Sequence, residues 1–238
     1  MAIKLITLNV EGNRHLEKVI PFLQKEKADV ICLQEVLQQD VELFTQKLRM
    51  SSKFIPTMDS RNHLKEHFRG IWGLLFLTKE KVEVNRYYYF GEGKIPVYKQ
   101  PNSGDRVLLY ADVKGITIGT THFTWTPNGE ASDEQREHAL KLLDFIGNKE
   151  MILCGDFNAP RGKEIFSMFE QKFKDNVPLD IDTTLDQELH FKKGLMYVVD
   201  SIFSTAMYNA SDVKVIDGIS DHKAIIGFVE KNSKEKKD

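Results

Sequence analysis

Short apolar runs bounded by polar and turn-forming residues recur along the chain. The runs of this kind are Ile3 to Val10, Asp29 to Val36, Met151 to Cys154, Leu195 to Phe203 and Ala224 to Val229. Short runs that are rich in branched apolar side chains favour buried strands over helices. We therefore expect a strand at each of these five places.

Other segments carry apolar residues at helical spacing. Asn13 is a suitable helix cap, and Leu16 to Leu23 supplies the apolar positions of a helix behind it. Pro21 lies inside that pattern and predicts a kink or a restart. Asp40 to Leu48 predicts a second helix, and a capping box that begins at Ser132 predicts a third. Helices are therefore expected to separate the predicted strands.

Two further pairs of strands are expected in the middle of the chain. Ile71 to Leu77 and Val82 to Phe90 predict one strand pair, and Val107 to Val113 with Ile116 to Thr121 predict a hairpin. Gly91 to Gly104 is rich in glycine and is the longest irregular stretch, which makes it a candidate loop beside a substrate. The segment between the second helix and the first of these strands is expected to be a loop.

Polar side chains follow several of the predicted strands, at positions that a hydrophobic core would not select. A carboxylate in such a place is costly to bury unless it is paired or binds a cation. Strand ends that converge on one edge of two packed sheets would bring such groups together. The residues at strand ends are Asn9, Glu35, His122, Asp156, Asn158, Asp221 and His222, and Asp200 interrupts the predicted strand Leu195 to Phe203.

Asp156 and Asn158 form the most informative of these groups. They follow a glycine at the end of an apolar run, with one residue between them. In extended backbone, side chains two residues apart point to the same side, so a carboxylate and a carboxamide would emerge together. Such a pair suits a hard cation or an oriented water. An Asx turn that leads into a helix through Pro160 explains the same residues equally well.

The composition is that of an ordinary globular protein. The 238 residues are 41% apolar and 29% charged, with a formal net charge of -2, which gives no overall attraction to nucleic acid or to an anionic membrane. We expect one domain over residues 1–230 and a charged tail at 231–238. Cys32 and Cys154 lie in apolar runs, which favours reduced core cysteines. Without a run of membrane-spanning length or a signal peptide, a cytoplasmic protein is expected.

Six short motifs in this order resemble those of the endonuclease/exonuclease/phosphatase superfamily, which includes deoxyribonuclease I. The motifs are Thr-Leu-Asn-Val, Leu-Gln-Glu-Val, Thr-His-Phe, Gly-Asp-Phe-Asn, Val-Asp-Ser-Ile-Phe and Ser-Asp-His. None is specific alone, but together they span nearly the whole chain. The resemblance implies an α/β fold, a four-layer α/β/β/α sandwich of two packed mixed β-sheets, with the active site at one end of the sheets.

The resemblance also implies a metal site. Glu35 matches the main ligand of a divalent cation, normally Mg2+ with Mn2+ as a substitute, and Asn9 matches a residue of the same metal site. Asp221 matches a second acidic contributor to the same site. Carboxylate and amide oxygens are ligands that such cations prefer.

The remaining motif residues resemble catalytic groups. Asp156 matches the base or water-orienting group, and Asn158 matches the donor that holds the nucleophile or a phosphate oxygen. His222 matches the histidine that faces the scissile phosphate, and Asp200 matches the carboxylate that orients it. His122 matches an additional histidine on the phosphate side. An Asp-His pair of this kind fixes the imidazole tautomer and favours its charged form.

The expected activity is hydrolysis of a phosphoester by an activated water. The leading substrate is a phosphodiester of nucleic acid or of a nucleotide, and Trp125, Arg69 and Arg106 are candidate substrate contacts. The segment before Asp200 lacks the tryptophan pattern of abasic-site endonucleases, so abasic repair is not favoured. Two alternatives stay open: a phosphomonoesterase for a small molecule or a lipid headgroup, and a non-catalytic phosphate-binding module. The sequence does not determine the oligomeric state, although a monomer is favoured.

Overall fold

The structure, a computed structural model, describes residues 2–232 and contains two six-stranded sheets. Apolar residues alternate or cluster along the central strands, which accounts for their burial. In chain order the strands and α-helices are β1 (Ile3–Asn9), α1 (Leu16–Glu26), β2 (Val30–Leu37), α2 (Val41–Leu48), β3 (Ser51–Asp59), β4 (Ile71–Thr78), β5 (Asn85–Phe90), β6 (Arg106–Val113), β7 (Ile116–His122), α3 (Asp133–Ile146), β8 (Ile152–Asp156), α4 (Glu164–Glu170), β9 (Lys174–Asp175), β10 (Asp200–Ser204), β11 (Tyr208–Ile216) and β12 (Ala224–Lys231).

Each sheet has one parallel pair of strands at its centre. The first sheet has the order β11-β12-β1-β2-β4-β3, and the second has the order β5-β6-β7-β8-β10-β9. The pairs β1–β2 and β7–β8 are parallel, and the other pairs are antiparallel. The carboxyl ends of parallel neighbours lie at the same edge of a sheet. The strand ends that the sequence identified as polar are therefore adjacent within each sheet.

Three apolar clusters hold the layers together. One lies between the sheets and includes Leu5, Cys32, Ile118 and Cys154. A second joins α1 and α2 to the first sheet, and a third joins α3 and α4 to the second sheet. The expected four-layer α/β/β/α sandwich is thus confirmed. Both cysteines are buried and free, as expected for core residues.

The structure corrects several expected strands. Ser51–Asp59 forms β3 and not a loop; its burial does not alternate, and Pro56 is tolerated because β3 is an edge strand. The strands β4 and β5, which were expected to pair, belong to different sheets. Tyr208–Ile216 forms β11, which was not anticipated.

The first helix and the strand that begins at Asp200 also differ from expectation. The helix begins after His15, not after Asn13, and it continues through Pro21 without a restart. Pro21 is exposed, so the carbonyl that loses its partner there can face water. Residues 195–199 are irregular, because carbonyls of this stretch accept hydrogen bonds from loop amides. Asp200 is consequently the first residue of its strand and not an interruption within it.

Two expectations concern the chain as a whole. Within residues 2–232, no helix has the length and apolar character needed to cross a membrane. The expected charged tail begins at Lys231, which is the last residue of β12. The rest of that tail, from residue 233 onward, lies outside the described residues.

Candidate active site

The strand ends bring the predicted polar residues to one edge of the sandwich. In the second sheet, Asp156 at the end of β8 pairs in register with His122 of β7 and with Asp200 of β10. In the first sheet, Asn9 ends β1 beside β2, the strand that carries Glu35. One cavity of about 470 Å³ is lined by five of these residues: Glu35, Asp156, Asn158, Asp221 and His222.

Asp156 occupies the centre of this group. It is 1% exposed and accepts hydrogen bonds from the Asn9 side chain at 3.1 Å and from the Asn158 backbone amide at 2.8 Å. Its Oδ2 atom also lies 3.5 Å from Nε2 of His122 and 3.8 Å from Nε2 of His222. Because Asn9 belongs to the other sheet, this carboxylate joins the two sheets at the edge of the core.

His222 and Asp200 form a buried pair. The Nδ1 atom of His222 lies 2.9 Å from Oδ2 of Asp200. Burial lowers the pKa of His222, but the carboxylates of Asp200, Asp156 and Asp221 outweigh it and raise this pKa well above the ordinary value. The imidazole is therefore charged at neutral pH, and a charged imidazole carries a proton on both nitrogens. Its Nε2–H is directed toward the side where Asp156 lies.

Glu35 lies at a bulge in β2. The register with β4 shifts between Leu33 and Val36, and Glu35 has a φ of 58°. Such a bulge re-aims a side chain relative to its strand. Burial, and then the negative charge of Asp221, raise the pKa of Glu35 to about 8. Burial and neighbouring carboxylates likewise raise the pKa of Asp221 to about 7, although His222 opposes the shift.

These carboxylates fit a divalent cation. Several acidic groups share one cavity, and burial, with repulsion between the carboxylates as a smaller cause, raises the pKa values of Glu35 and Asp221. Oxygen donors of this kind suit a hard cation such as Mg2+. Asn9 would assist indirectly, because its Nδ2 donates to Asp156 and its Oδ1 accepts from the Glu11 amide.

A second group of donors is less suitable for a metal. One ligand atom each of Asp156, Asp200 and His222 lies within 4.8 Å of the others. However, Asp200 and Nδ1 of His222 are already hydrogen-bonded to each other. Glu35 and Asp221 have no such mutual hydrogen bond and are the carboxylates of the cavity that could hold a cation.

His122 contributes a neutral imidazole. Burial, helped by the positive charge of Arg106, lowers the pKa of His122 to about 4, although Asp156 opposes this. Its Nε2 atom lies 3.7 Å from Oε1 of Glu35. A neutral imidazole can donate one hydrogen bond without adding a charge. His122 therefore differs from His222 in charge although both face Asp156.

The three predicted substrate contacts have different positions. Trp125 is 43% exposed and lines the cavity. Arg106 is half-buried near Glu35 and His122 and lines an adjacent cavity. Arg69 is not brought into either cavity wall: its guanidinium donates to the carbonyls of His63 and Leu64 in its own loop.

Two residues of the cavity wall were missed. Glu11 is buried and contacts Arg14 at 2.9 Å and His15 at 3.0 Å. It lies two residues after Asn9, the same spacing as in the Asp156 motif, so the sequence contained a signal for it. His190 is also buried, with its ring centroid 6.2 Å from that of His222. It lies in a loop, where no periodic pattern indicates its position.

Known proteins share this architecture. An endonuclease/exonuclease/phosphatase from Bacteroides vulgatus has a TM-score of 0.72 at 17% identity, covering 98% of this chain and 100% of that one. The human Nocturnin catalytic domain has a TM-score of 0.71 at 17% identity, covering 97% and 94%. The Bacteroides thetaiotaomicron mannosyl-6-phosphatase has a TM-score of 0.65 at 14% identity, covering 96% and 99%. No curated protein matches the sequence.

These structural likenesses show a shared fold. The family assignment rests on a different finding: the sequence matches the model of the Endonuclease/Exonuclease/phosphatase family over residues 6–222. That range includes every strand end that forms the cavity. The chain therefore belongs to the endonuclease/exonuclease/phosphatase family.

Proposed function

We propose that this family member is an Mg2+-dependent phosphodiesterase that acts on nucleic acid or on a nucleotide-related substrate. Enzymes of the family are hydrolases of phosphoesters. The observation that carries the proposal is the convergence of Asp156, the Asp200–His222 pair and Glu35 on one cavity. These groups match the needs of water attack on a charged phosphorus centre.

In this proposal Asp156 orients the attacking water and accepts its proton. Hydrogen bonds from Asn9 and from the Asn158 amide hold its two oxygens in fixed directions. Asn158 donates one side-chain N–H to the Phe123 carbonyl at 3.1 Å, which leaves a second N–H for a phosphate oxygen. The water is therefore positioned by groups from both sheets.

His222 stabilises the negative charge that develops on the phosphate. Asp200 holds the proton at Nδ1, so the Nε2–H of His222 is available to a phosphate oxygen. Neutral His122 supplies a further hydrogen bond on the other side of Asp156. Glu35 and Asp221 would hold the cation, which when bound offsets charge on the phosphate oxygens and assists the leaving oxygen.

Hydrolysis of bis-p-nitrophenyl phosphate tests the proposal. We expect turnover with Mg2+ or Mn2+ and none with excess EDTA. Asp156→Asn and His222→Asn should each lower kcat by about 100- to 1,000-fold, the usual cost of losing one electrostatic group. Asp144→Asn, which changes an exposed carboxylate on α3, is the matched control and should keep full activity.

The same assay separates the alternatives. Absence of turnover under all metal conditions would favour a phosphate-binding module. Faster turnover of p-nitrophenyl phosphate than of the diester would favour a phosphomonoesterase. Full activity of His222→Asn would remove His222 from the mechanism, whatever the substrate.

A further inference from the structure

A second cavity of about 230 Å³ adjoins the active-site cavity. Glu35 and Asn158 line both cavities, so the two spaces meet where the proposed reaction takes place. Trp125 also lines both and stands at the same junction. A substrate whose scissile phosphate lies at this junction can extend one of its groups into the second cavity.

One wall of the second cavity is a series of aromatic rings in mutual contact. The ring centroids of Tyr98 and His63 are 4.9 Å apart, those of His63 and Phe68 are 5.0 Å apart, and those of Phe68 and Trp72 are 4.9 Å apart. The indole N–H of Trp72 donates to the Phe68 carbonyl at 2.8 Å, which fixes the last ring. These rings therefore form a continuous aromatic wall along the cavity.

Trp125 faces the cavity from another side. Within the described residues, its ring forms no stacked or edge contact with another aromatic ring. Its backbone is nevertheless held in place, because its amide donates to Oδ1 of Asn102 at 3.0 Å and its carbonyl accepts from Nδ2 of Asn102 at 2.8 Å. An exposed tryptophan on an anchored backbone is suited to stack on a ligand.

Arg106 brings a positive charge to the wall of the second cavity. Arg106 lines it together with His122 and donates to Oδ1 of Asn102 at 2.8 Å. The Nε atom of Arg106 is buried and has no hydrogen-bond partner. A guanidinium beside Glu35 places a cation next to the position of the scissile phosphate. The cavity thus combines an aromatic lining with charge complementary to an anionic ester.

We propose that the second cavity binds one planar aromatic group of the substrate, carried by the organic group of the scissile phosphoester. A nucleotide carries such a ring on its ribose, and a simple aryl phosphate carries it directly on the ester oxygen. The placement of the phosphate at the junction rests on the proposed function, whereas the binding of a ring does not. The cavity volume suits a single ring-bearing group and not an extended polymer.

Intrinsic fluorescence tests the proposal directly, because both tryptophans of the chain, Trp72 and Trp125, line this cavity. Adenosine 5′-monophosphate, ribose 5-phosphate and phenyl phosphate would each be titrated into the protein in EDTA, with excitation near the red edge of tryptophan absorption. We expect saturable quenching by the adenosine compound and weaker or no binding of ribose 5-phosphate. Equal binding of these two would overturn the proposal.

Substitution of Trp125 separates stacking from general affinity. Base stacking is worth about 5- to 150-fold in affinity, so Trp125→Leu should weaken adenosine 5′-monophosphate binding by such a factor and leave ribose 5-phosphate unchanged. Trp125→Phe should retain most of the affinity, with Trp72 as the remaining reporter. An unchanged affinity in Trp125→Leu would refute the stacking role.

The phenyl phosphate titration distinguishes the two sources of the ring. Binding as tight as that of the nucleotide supports a pocket for any planar ring, and weaker binding supports a nucleobase. These measurements need neither metal nor turnover. Their results therefore do not depend on whether the protein is catalytically active. Conversely, metal-dependent hydrolysis together with equal binding of the ring-bearing and ringless phosphates would preserve the proposed function and eliminate this inference.

Discussion

Binding of Mg2+ should release protons from the carboxylates of the active-site cavity. Without a cation, the pKa of Glu35 is about 8 and that of Asp221 is about 7, so in neutral solution Glu35 is largely protonated and Asp221 about half protonated. A cation binds the ionised forms, because a carboxylate ligand has to lose its proton. The affinity for Mg2+ should consequently depend on pH.

The expected size follows from the two pKa values. At pH 7 Glu35 carries about 0.9 of a proton and Asp221 about 0.5, so binding that ionises both releases about 1.4 protons per cation. At pH 9 the release falls to about 0.1 proton. Because protons compete less strongly with the cation as the pH rises, the apparent affinity should increase by about 500-fold between pH 6 and pH 8.

Isothermal titration calorimetry in two buffers of different ionisation enthalpy measures this release. The difference between the two apparent enthalpies gives the number of protons transferred to the buffer at each pH. Asp144→Asn, on the exposed face of α3, should behave as the parent protein. Glu35→Gln should bind Mg2+ more weakly. At pH 7 this variant should release about 0.9 of a proton fewer per bound cation than the parent protein. Proton release that is close to zero at pH 7, or equal at pH 7 and pH 9, would refute this account of the cavity.

Three further outcomes follow from the same structure. In EDTA the folded protein should lose stability as the pH rises from about 4.5 toward 8, because Glu35 binds its proton more tightly in the folded state; thermal unfolding with and without Mg2+ measures this. Asp200→Asn removes the carboxylate that raises the pKa of His222, so that pKa should fall in an NMR titration and kcat should drop by about 100- to 1,000-fold. Gln34→Leu should cost about 1–3 kcal/mol in urea unfolding, because it leaves two buried threonine hydroxyls without this donor.

Much of this site was predictable from local patterns. The apolar runs that became β1, β2 and β8 are short and continuous, and each ends in polar side chains. A core would not select Asn9, Glu35 or Asp156 at those ends, so the chemistry of these residues was apparent from the sequence alone. The folded chain adds that these side chains meet at one cavity, where Asn9 donates to Asp156.

Other features depend on contacts between distant parts of the chain. β4 and β5 are neighbours in sequence, yet each pairs within a different sheet. Nothing in their alternation indicates that choice, because strand partners are selected by packing over the whole core. His190 was missed for a related reason: its loop is brought beside His222 only by the folded sheets. The aromatic rings of the second cavity likewise come from several separate segments.

The geometry of the site is set by the packing of one sheet against the other. Gln34 of β2 donates to Thr7 in its own sheet at 3.2 Å and to Thr120 of the opposite sheet at 3.1 Å. This buried bridge lies beside Asn9, which pairs in register with Gln34. Asn9 then reaches Asp156 across the same gap at 3.1 Å. A sliding of the sheets by even one ångström would break this contact, since N–H···O hydrogen bonds span only about 2.7–3.2 Å. The orientation of the proposed base therefore depends on a core residue that touches no substrate, so Gln34→Leu should lower kcat as well as stability.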